Sequence, residues 1–301
     1  RFDAAHECQT ALISDSSSPT GFPSLGHLVK KALLVSDDEA YNRLYEFCGQ
    51  QYLNETLWHK GFEKTCILQR FQNCCYDCNR YTNPILFLAP DGSLLFKQEM
   101  QVNPSKYKNP LGTVLKGKEY MLNNGQMVHQ PKDYSLANNL PLQELHDMLL
   151  GLIFPRQANA KNCFNISSSD RFFMLRHMAM FPGESDIRMF RDPQKYPFDY
   201  KKYFLWEQQP WLRSFNINAY TYGYMGDCAY IADFKNKIEF ILVAVLNTNE
   251  TEIIQPRNYQ YATLGIPFLK NLGKTIYNFE RTRDRRYQPD LTEFEQLMTQ
   301  Q

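Results

Sequence analysis

The stretch Leu25–Gly49, LGHLVKKALLVSDDEAYNRLYEFCG, decides the fold of this chain. Its first half repeats apolar residues at i, i+3, i+4, i+7 and i+8, which is the spacing of one buried helix face. These residues are Leu25, Leu28, Val29, Ala32 and Leu33. Its second half carries another apolar stripe and ends at Gly49, a residue type that often terminates helices. The stripe consists of Tyr41, Leu44, Tyr45 and Cys48. The stretch therefore predicts two consecutive helices that join at Ser36-Asp37-Asp38.

The joint between the two helices has two interpretations. Ser36-x-x-Glu39 matches a capping box, in which the serine oxygen accepts an orphan amide proton and the glutamate bonds back to the cap. Asp37 and Asp38 would interact favourably with the positive end of the second helix. On these residues alone a cap is favoured over a catalytic loop, because short motifs often match by chance.

The composition is typical of a globular protein. A chain of 301 residues can form one large domain or two small ones around a substantial core. Its formal net charge of +1 gives no reason to expect nucleic acid or an anionic membrane surface as a partner. No apolar run approaches the roughly 18 residues of a membrane span. The opening Arg1-Phe2-Asp3 has no signal-peptide character and is typical of a mature or truncated chain.

The eight cysteines include a cluster, Cys74, Cys75 and Cys78, in the segment NCCYDCN. A structural zinc site needs four ligands, and no second CxxC or HxxxH pattern completes this one. The sequence therefore predicts neither a metal ion nor another cofactor. An extracytoplasmic location, periplasmic or secreted, with some disulfides is compatible with this cysteine content. The pairing of the cysteines is left open.

Helices and strands alternate irregularly along the rest of the chain. Residues 24–210 are predicted to be mainly helical, with a hairpin and long loops, whereas residues 211–301 are predicted to form sheet strands and a C-terminal helix. The predicted elements are a helix over Leu53–Lys60, a short strand over Cys66–Gln72, a hairpin over Asn83–Gln98, an irregular stretch over Glu99–Asn139, a helix from Pro141, a helix from a cap at Ser168 to Met180, strands within Leu212–Leu246, and a helix over Gly265–Arg281 with Ile266, Leu269, Ile276 and Phe279 facing inward. This order indicates a single α+β domain over residues 1–301, with an antiparallel sheet flanked by helices and a mostly helical subdomain.

Three segments resemble the serine β-lactamase and penicillin-binding-protein superfamily, closest to class A-type enzymes and to a group of bacterial serine hydrolases related to them. The first is residues 34–62, where Ser36-Asp37-Asp38 is similar to the family's Ser-Asp-Asn loop between two helices. The second is Leu140–Leu145, similar to the helix that follows the family's omega loop. The third is Ala219–Leu246, whose Tyr222-Gly223 turn is similar to the turn after the Lys-Thr-Gly strand.

The resemblance implies a β-lactamase/transpeptidase-like fold and acyl-serine hydrolysis of a β-lactam-like amide or ester. In that chemistry the serine of a Ser-x-x-Lys motif attacks the carbonyl. The resemblance assigns Ser36 and Asp38 to the catalytic loop and Ile217, Asn218 and Ala219 to the substrate-binding strand, which Ser36 would face. It implies a small-molecule or peptide-like ligand and leaves the oligomeric state open.

Several motif positions depart from the family pattern. No Ser-x-x-Lys precedes Ser36, and the one literal match, residues 105–108, follows it and is interpreted as chance. Asp38 replaces an amide donor by a carboxylate, and Asp133 is only a weak candidate for a deacylating carboxylate. Two functions therefore stay open. The protein is either an acyl-serine hydrolase whose nucleophile lies in an N-terminal part of the fold missing from this chain, or a catalytically inactive relative that binds a ligand or partner.

Overall fold

The computed structural model describes residues 1–7, 9–71, 75–255 and 259–299 and has an α+β architecture. The chain divides into two compact units, each described by itself. The first contains Arg1–Gly112, Ser135–Pro141 and Asp186–Met189, and the second contains Thr113–Tyr134, Leu142–Ser185 and Phe190–Gln301. None of the helices in the described ranges combines the length and the apolarity needed to cross a bilayer.

Three consecutive helices organise the first unit and confirm the helices predicted there. They are α1 (Leu25–Val35), α2 (Asp38–Cys48) and α3 (Gln50–His59). Gly49 separates the last two with a positive φ of 77°, and an added Cβ would lie 2.4 Å from the Oε1 atom of Gln101. Only glycine accepts this backbone conformation without strain, so the sequence correctly marks the end of α2.

A hairpin accompanies these helices, as predicted. Strands β1 (Ile85–Leu88) and β2 (Leu94–Gln98) pair antiparallel. The apolar residues of α1, α2 and β1 meet in one small core, in which Leu28 and Ile85 are fully buried. Burial of these faces, rather than helix propensity, is what stabilises such short elements.

The strand predicted over Cys66–Gln72 is wrong for the residues that the structure describes, and Gln72 lies outside them. Cys66 forms only an isolated bridge with Asn139. The next backbone amides bond to side chains instead, because Asn54 Oδ1 accepts from Ile67 N and Asn138 Oδ1 accepts from Leu68 N. Asparagine side chains thus accept the hydrogen bonds of these backbone amides, which a neighbouring strand would otherwise have to accept.

The second unit is built on the predicted three-stranded antiparallel sheet. Its strands are β7 (Leu212–Thr221), β8 (Tyr224–Asp233) and β9 (Ile238–Asn247), in the spatial order β7-β8-β9. Strands β7 and β8 join through the two-residue turn Tyr222-Gly223, whose φ angles are 49° and 87°. Positive φ at both positions is the geometry of a type I′ hairpin turn, which matches the natural twist of the strands.

Helices cover both faces of this sheet. On one face, the thiol of Cys228 donates to the carbonyl of Leu145 in α4 (Leu142–Ile153). On the other face, Leu269 of α6 (Ile266–Thr282) packs in the core cluster with Ala229. Helix α5 (Ser168–Ala179) lies against β7. Strand residues alternate between the two faces, so the sequence needs apolar residues at nearly every position of a doubly covered strand.

The C-terminal helices differ from the prediction in detail. The buried residues of α6 are Leu269, Gly273 and Tyr277, whereas Phe279 is 57% exposed, so its predicted inward orientation is wrong. An added Cβ at Gly273 would lie 2.1 Å from the carbonyl oxygen of Phe204, which shows why a glycine lies on the buried face. A further helix that was not predicted, α7, follows at Thr292–Thr299.

Two smaller sheets occupy part of the stretch predicted to be irregular. Strand β3 (Leu115–Lys116) pairs antiparallel with β6 (Lys132–Asp133). Strand β4 (Glu119–Met121) lies between β5 (Met127–Val128) and β10 (Ile253–Ile254). Such short ladders carry almost no period-2 pattern, which is why the sequence indicates only a long connection there.

The predicted start of α5 is displaced by one residue, since the N-cap of this helix is Ser167 and not Ser168.

Candidate functional site

Ser36 ends α1 and does not begin α2. It is the C-cap of α1, in the left-handed conformation with φ 56° and ψ 52°, and its backbone N–H donates to the carbonyl of Lys31. The N-cap of α2 is Asp37, whose Oδ1 accepts the N–H of Ala40 at 2.8 Å. The capping-box interpretation of Ser36 is therefore wrong. Glu39, the other half of the expected box, bonds to Arg43 instead.

The Ser36 side chain has no hydrogen-bond partner among the residues that the structure describes. The residue is half-buried, and its hydroxyl makes no hydrogen bond within the described ranges. A left-handed conformation at a non-glycine residue costs about 1–2 kcal/mol. Conformations of this kind persist where the surroundings enforce them, and they cluster at functional sites. An unused hydroxyl on an enforced backbone is available to a ligand.

Lys31 holds the loop that contains Ser36. Its carbonyl accepts the N–H of Ser36 and, at 3.4 Å, the N–H of Asp37. Its ammonium nitrogen lies 3.2 Å from Asp15 Oδ2 and 3.7 Å from Asp37 Oδ2. One lysine thus fixes both the backbone and the capping carboxylate of the loop, and the mostly buried position of its side chain limits screening by solvent.

A serine, a histidine and an aspartate meet next to this lysine. Ser17 Oγ donates to Asp15 Oδ1 at 2.5 Å and lies 2.8 Å from His27 Nε2. Because the hydroxyl proton is directed to the aspartate, the imidazole N–H is the donor to Ser17. A nucleophilic serine has the opposite polarity, since it donates to the imidazole. Burial lowers the pKa of His27, although Asp15 opposes this change. The cluster therefore serves structure, and His27 is a buried packing residue.

A buried ion network fixes α2 below the loop. Glu46 accepts from Arg43 Nη1 at 3.0 Å, from Arg70 Nη1 at 2.5 Å and from Asn83 Nδ2 at 2.9 Å. Arg43 is 2% exposed and also bonds the backbone of Thr10. Charge-assisted bonds of this kind define one geometry, because a buried charge without a partner is strongly destabilising. The middle and the C-terminal half of α2 are consequently held in place.

Asp38, the second residue assigned to the catalytic loop, is exposed at the first position of α2. A carboxylate at this position interacts favourably with the positive end of the helix dipole. It offers acceptors only when ionised, whereas the asparagine of the family motif also offers an amide donor.

The strand residues assigned to substrate binding lie in the second unit. Ile217, Asn218 and Ala219 belong to β7, which is an edge strand. Ile217 and Ala219 are exposed, while Asn218 points to the other face of the sheet and donates from Nδ2 to the carbonyl of Lys201 at 2.8 Å. The Oδ1 atom of Asn218 is buried without a hydrogen-bond partner among the described residues. The exposed side of the triplet therefore offers methyl groups and no cation.

A buried lysine that the sequence analysis missed lies beside this strand. Lys202 is 3% exposed and its Nζ donates to Met178 O at 2.6 Å, Ser214 O at 3.1 Å and Asn216 Oδ1 at 3.0 Å. Three acceptors match the three protons of an ammonium group. Asn216 in turn donates from Nδ2 to Asp227 Oδ1 at 2.9 Å, so the amide bridges a cation and a carboxylate.

Burial shifts both charged groups of this cluster toward their neutral forms. It lowers the pKa of Lys202 to about 7 and raises the pKa of Asp227 to about 7. The attraction between Lys202 and Asp227 acts against burial in both cases. Because all three N–H groups of Lys202 are bonded inside the protein, this lysine is not offered to a substrate. Its sequence neighbours are aromatic loop residues, and nothing in their spacing indicated a buried cation.

The two weaker candidates from the sequence lie at exposed positions. Ser105 is exposed in an irregular segment and not at the start of a helix, where a Ser-x-x-Lys nucleophile is expected. Asp133 is exposed in β6. Neither placement gives these residues the buried, preorganised surroundings that tune a catalytic group.

One disulfide is present in the described part of the cysteine cluster, between Cys75 and Cys78. Cys8 and Cys74 lie outside the described residues, and Cys48, Cys66 and Cys228 form no disulfide within them. Within the described ranges, no group of three or more His, Cys, Asp or Glu side chains is placed to hold a metal ion.

The structure thus places Ser36 and Asp38 in a rigid loop of the first unit, and the Ile217–Ala219 triplet on an edge strand of the second. The unpartnered serine hydroxyl is the most distinctive feature of the predicted site residues. No protein-family model, curated protein or solved structure matches the chain.

Proposed function

We propose that this chain belongs to an acyl-serine hydrolase of the β-lactamase-like type, in which Ser36 supplies a proton-relay hydroxyl. The observation that carries the proposal is the combination of a left-handed, non-glycine backbone with a hydroxyl that has no hydrogen-bond partner in the described part of the chain, while Asp37 caps α2. A serine retained for structure would use its hydroxyl or be replaced by glycine, which adopts this conformation without strain.

A relay hydroxyl has simple requirements. It accepts a proton from one group and donates its own to the leaving group, so it needs a free lone pair and a free O–H. Its position must be fixed, because misplacement by about 1 Å costs about 100-fold in rate. The Lys31 contacts fix the Ser36 loop in the required way. The nucleophile itself is proposed to come from residues outside 1–301, since no Ser-x-x-Lys precedes Ser36.

The β9 strand supports a continuation of the sheet. Within the described residues no strand pairs with its second edge, although α4 and α6 cover both of its faces. Its sequence, IEFILVAVLN, lacks the lysines and prolines that commonly protect an edge strand. Apolar residues on both faces are typical of a central strand. We propose that another strand of the same polypeptide, outside residues 1–301, pairs with β9.

A second function is favoured by the residues that replace the family's motifs. Ile217 stands where the resemblance places a lysine, and this loses a charge-assisted contact of about 1.5–3 kcal/mol to a substrate carboxylate. Asp38 adds a negative charge on the loop side. These changes argue against an anionic β-lactam as substrate and favour either another ester or amide, or ligand binding without turnover.

Intact-mass spectrometry of the full-length protein after incubation with a penicillin or a fluorophosphonate distinguishes the two functions. Hydrolase function predicts a one-to-one adduct with the fluorophosphonate, and Ser36→Gly is expected to slow its formation by about 100-fold, the usual contribution of proton transfer. Lys237→Gly is the matched control, because Lys237 also has a positive φ of 52° outside the proposed site. No adduct with either reagent would establish the inactive relative.

We also propose an extracytoplasmic location for the protein. The Cys75–Cys78 disulfide supports it, because such bonds persist in oxidising compartments. Recovery of this bond from cells lysed in an alkylating agent tests the proposal, and fully alkylated thiols would contradict it.

A further inference from the structure

Two lysines of the second unit are cross-strand neighbours and have no acidic partner among the described residues. Lys116 of β3 and Lys132 of β6 are directly opposite in the antiparallel ladder. Neither forms a salt bridge with a described carboxylate, while Glu252 pairs with Lys118 and Glu119 pairs with His129. Like charges directly opposite in a ladder are destabilising, so the pair is unfavourable unless an anion binds between them.

Tyrosine rings surround Lys132. Its Nζ lies 4.8 Å from the ring centroid of Tyr222, 5.5 Å from that of Tyr134 and 5.7 Å from that of Tyr120. The hydroxyl of Tyr134 is buried and has no partner among the described residues. A buried O–H without an acceptor costs about 1–3 kcal/mol, and an incoming oxyanion would supply that acceptor.

Tyr222 is exposed to solvent, and its backbone is held in a left-handed conformation. The residue is 41% exposed although its ring packs 4.9 Å from the ring of Tyr134, centroid to centroid. Its φ of 49° is rare for a bulky residue. The turn is held in this conformation because Gly223 N–H donates to the Tyr261 hydroxyl and Thr248 N–H donates to the Gly223 carbonyl. The protein thus fixes an aromatic surface beside the two lysines.

We propose that Lys116, Lys132, Tyr134 and Tyr222 form a binding subsite for an oxyanion, a carboxylate or phosphate, that is attached to a flat ring. The lysines neutralise the anion, the Tyr134 hydroxyl donates a hydrogen bond to it, and the exposed ring of Tyr222 packs against the ring of the ligand. The subsite lies entirely in the second unit and does not rest on the hydrolase proposal.

Cation–π contacts give Lys132 a structural reason to lie among the tyrosines. Lys116 has a contact of the same kind, since its Nζ lies 5.6 Å from the ring centroid of Tyr224. These contacts do not explain why the buried Tyr134 hydroxyl lacks an acceptor among the described residues, which an anion would supply. A purely structural cluster and a binding subsite also differ in a measurable way, because only the subsite changes affinity for a ligand.

Isothermal titration calorimetry of the full chain at low ionic strength tests the subsite with phenyl phosphate, benzoate and inorganic phosphate. We expect saturable binding of phenyl phosphate or benzoate with a Kd at or below about 1 mM. Whichever of the two binds tighter identifies the oxyanion. Inorganic phosphate should bind more weakly than phenyl phosphate, and Tyr222→Leu should remove this preference.

The lysine variants provide the matched comparison. Lys132→Gln and Lys116→Gln should each weaken binding by about tenfold or more, the usual effect of a charge-assisted contact. Lys118→Gln removes the same charge from the connection between β3 and β4, where Lys118 is paired with Glu252, and should change Kd by less than about twofold. Tyr134→Phe keeps the ring in place and should still weaken binding. Absence of saturable binding by the wild-type protein, or equal losses in all three lysine variants, would overturn the proposal.

Discussion

Replacement of Lys202 by methionine is the sharpest test of the buried cluster in the second unit. Met keeps the length and apolar character of the lysine stem but removes the ammonium that bonds Met178 O, Ser214 O and Asn216 Oδ1. Breaking a buried charge pair from one side costs about 3–5 kcal/mol, because the remaining charge stays buried without compensation. Lys202→Met should therefore destabilise the second unit by an amount in this range.

The contribution of this cluster to folding stability is expected to depend on pH. The pKa of Asp227 is raised from 3.8 to about 7, so the folded state binds more protons between these values and this group's stabilisation falls as pH rises through them. The pKa of Lys202 is lowered from 10.5 to about 7, so the unfolded state binds more protons there and stability rises with pH over that interval. The cost of Lys202→Met should shrink below pH 7, where the lone Asp227 protonates. The cost of Asp227→Asn should shrink above pH 7, where the lone Lys202 loses its proton.

Urea denaturation followed by tryptophan fluorescence measures these changes unit by unit. In a Trp58→Phe background only Trp206 and Trp211 remain, and both belong to the second unit. With a urea m-value of about 1–3 kcal/mol/M, the expected destabilisation lowers the midpoint by about 1–3 M. Lys274→Met on the exposed side of α6 is the control, and its midpoint should not move. A Lys202→Met cost below about 1 kcal/mol at pH 7, or one that grows as pH falls, would refute the reasoning.

Three further predictions concern other parts of the chain. Gly273→Ala should lower the thermal denaturation midpoint, at a cost of about 1–3 kcal/mol, since its Cβ would meet the Phe204 carbonyl, whereas Gly183→Ala, with open space around it, should not. Glu46→Gln should destabilise the first unit by about 3–5 kcal/mol, because Arg43 and Arg70 lose their shared carboxylate, and Trp58 fluorescence in urea reports it; an unchanged midpoint would show that the network is not stabilising. Cys75 and Cys78 should react with iodoacetamide only after reduction, as read by peptide mass mapping, and labelling without a reductant would contradict the disulfide.

The sequence was most informative where structure depends on local pattern. The stripes from Leu25 to Cys48 predicted α1 and α2 because helix faces are set by neighbours three and four residues apart. The strands within Leu212–Leu246 were predicted because each is ten residues of β-rich, mostly apolar sequence bounded by turn residues. The α+β class follows from these two regions.

Features that depend on distant partners were not predictable in the same way. The Cys66–Gln72 segment has strand composition, yet Asn54 and Asn138 satisfy its amides from 13 and 70 residues away along the chain. Lys202 is buried only because the carbonyls of Met178 and Ser214 converge on it. A single sequence contains no pattern that reports such convergence, because the partners are brought together by folding.

The residue that caps α2 is Asp37 and not Ser36, and this shift of one position leaves the serine hydroxyl without a capping role. Ser36 and Asp37 are both residue types that cap helices, so the sequence alone allows either to begin α2. An ionised carboxylate is the stronger acceptor, and Lys31 lies close to the carboxylate of Asp37, which explains why the aspartate caps. Because Asp37 takes the capping role at α2, the Ser36 hydroxyl has no hydrogen-bond partner among the described residues. The capping box that the sequence favoured is thereby excluded. The left-handed backbone of Ser36 is that of a C-cap of α1, so the hydroxyl, and not the backbone, is the feature on which the proposed relay depends.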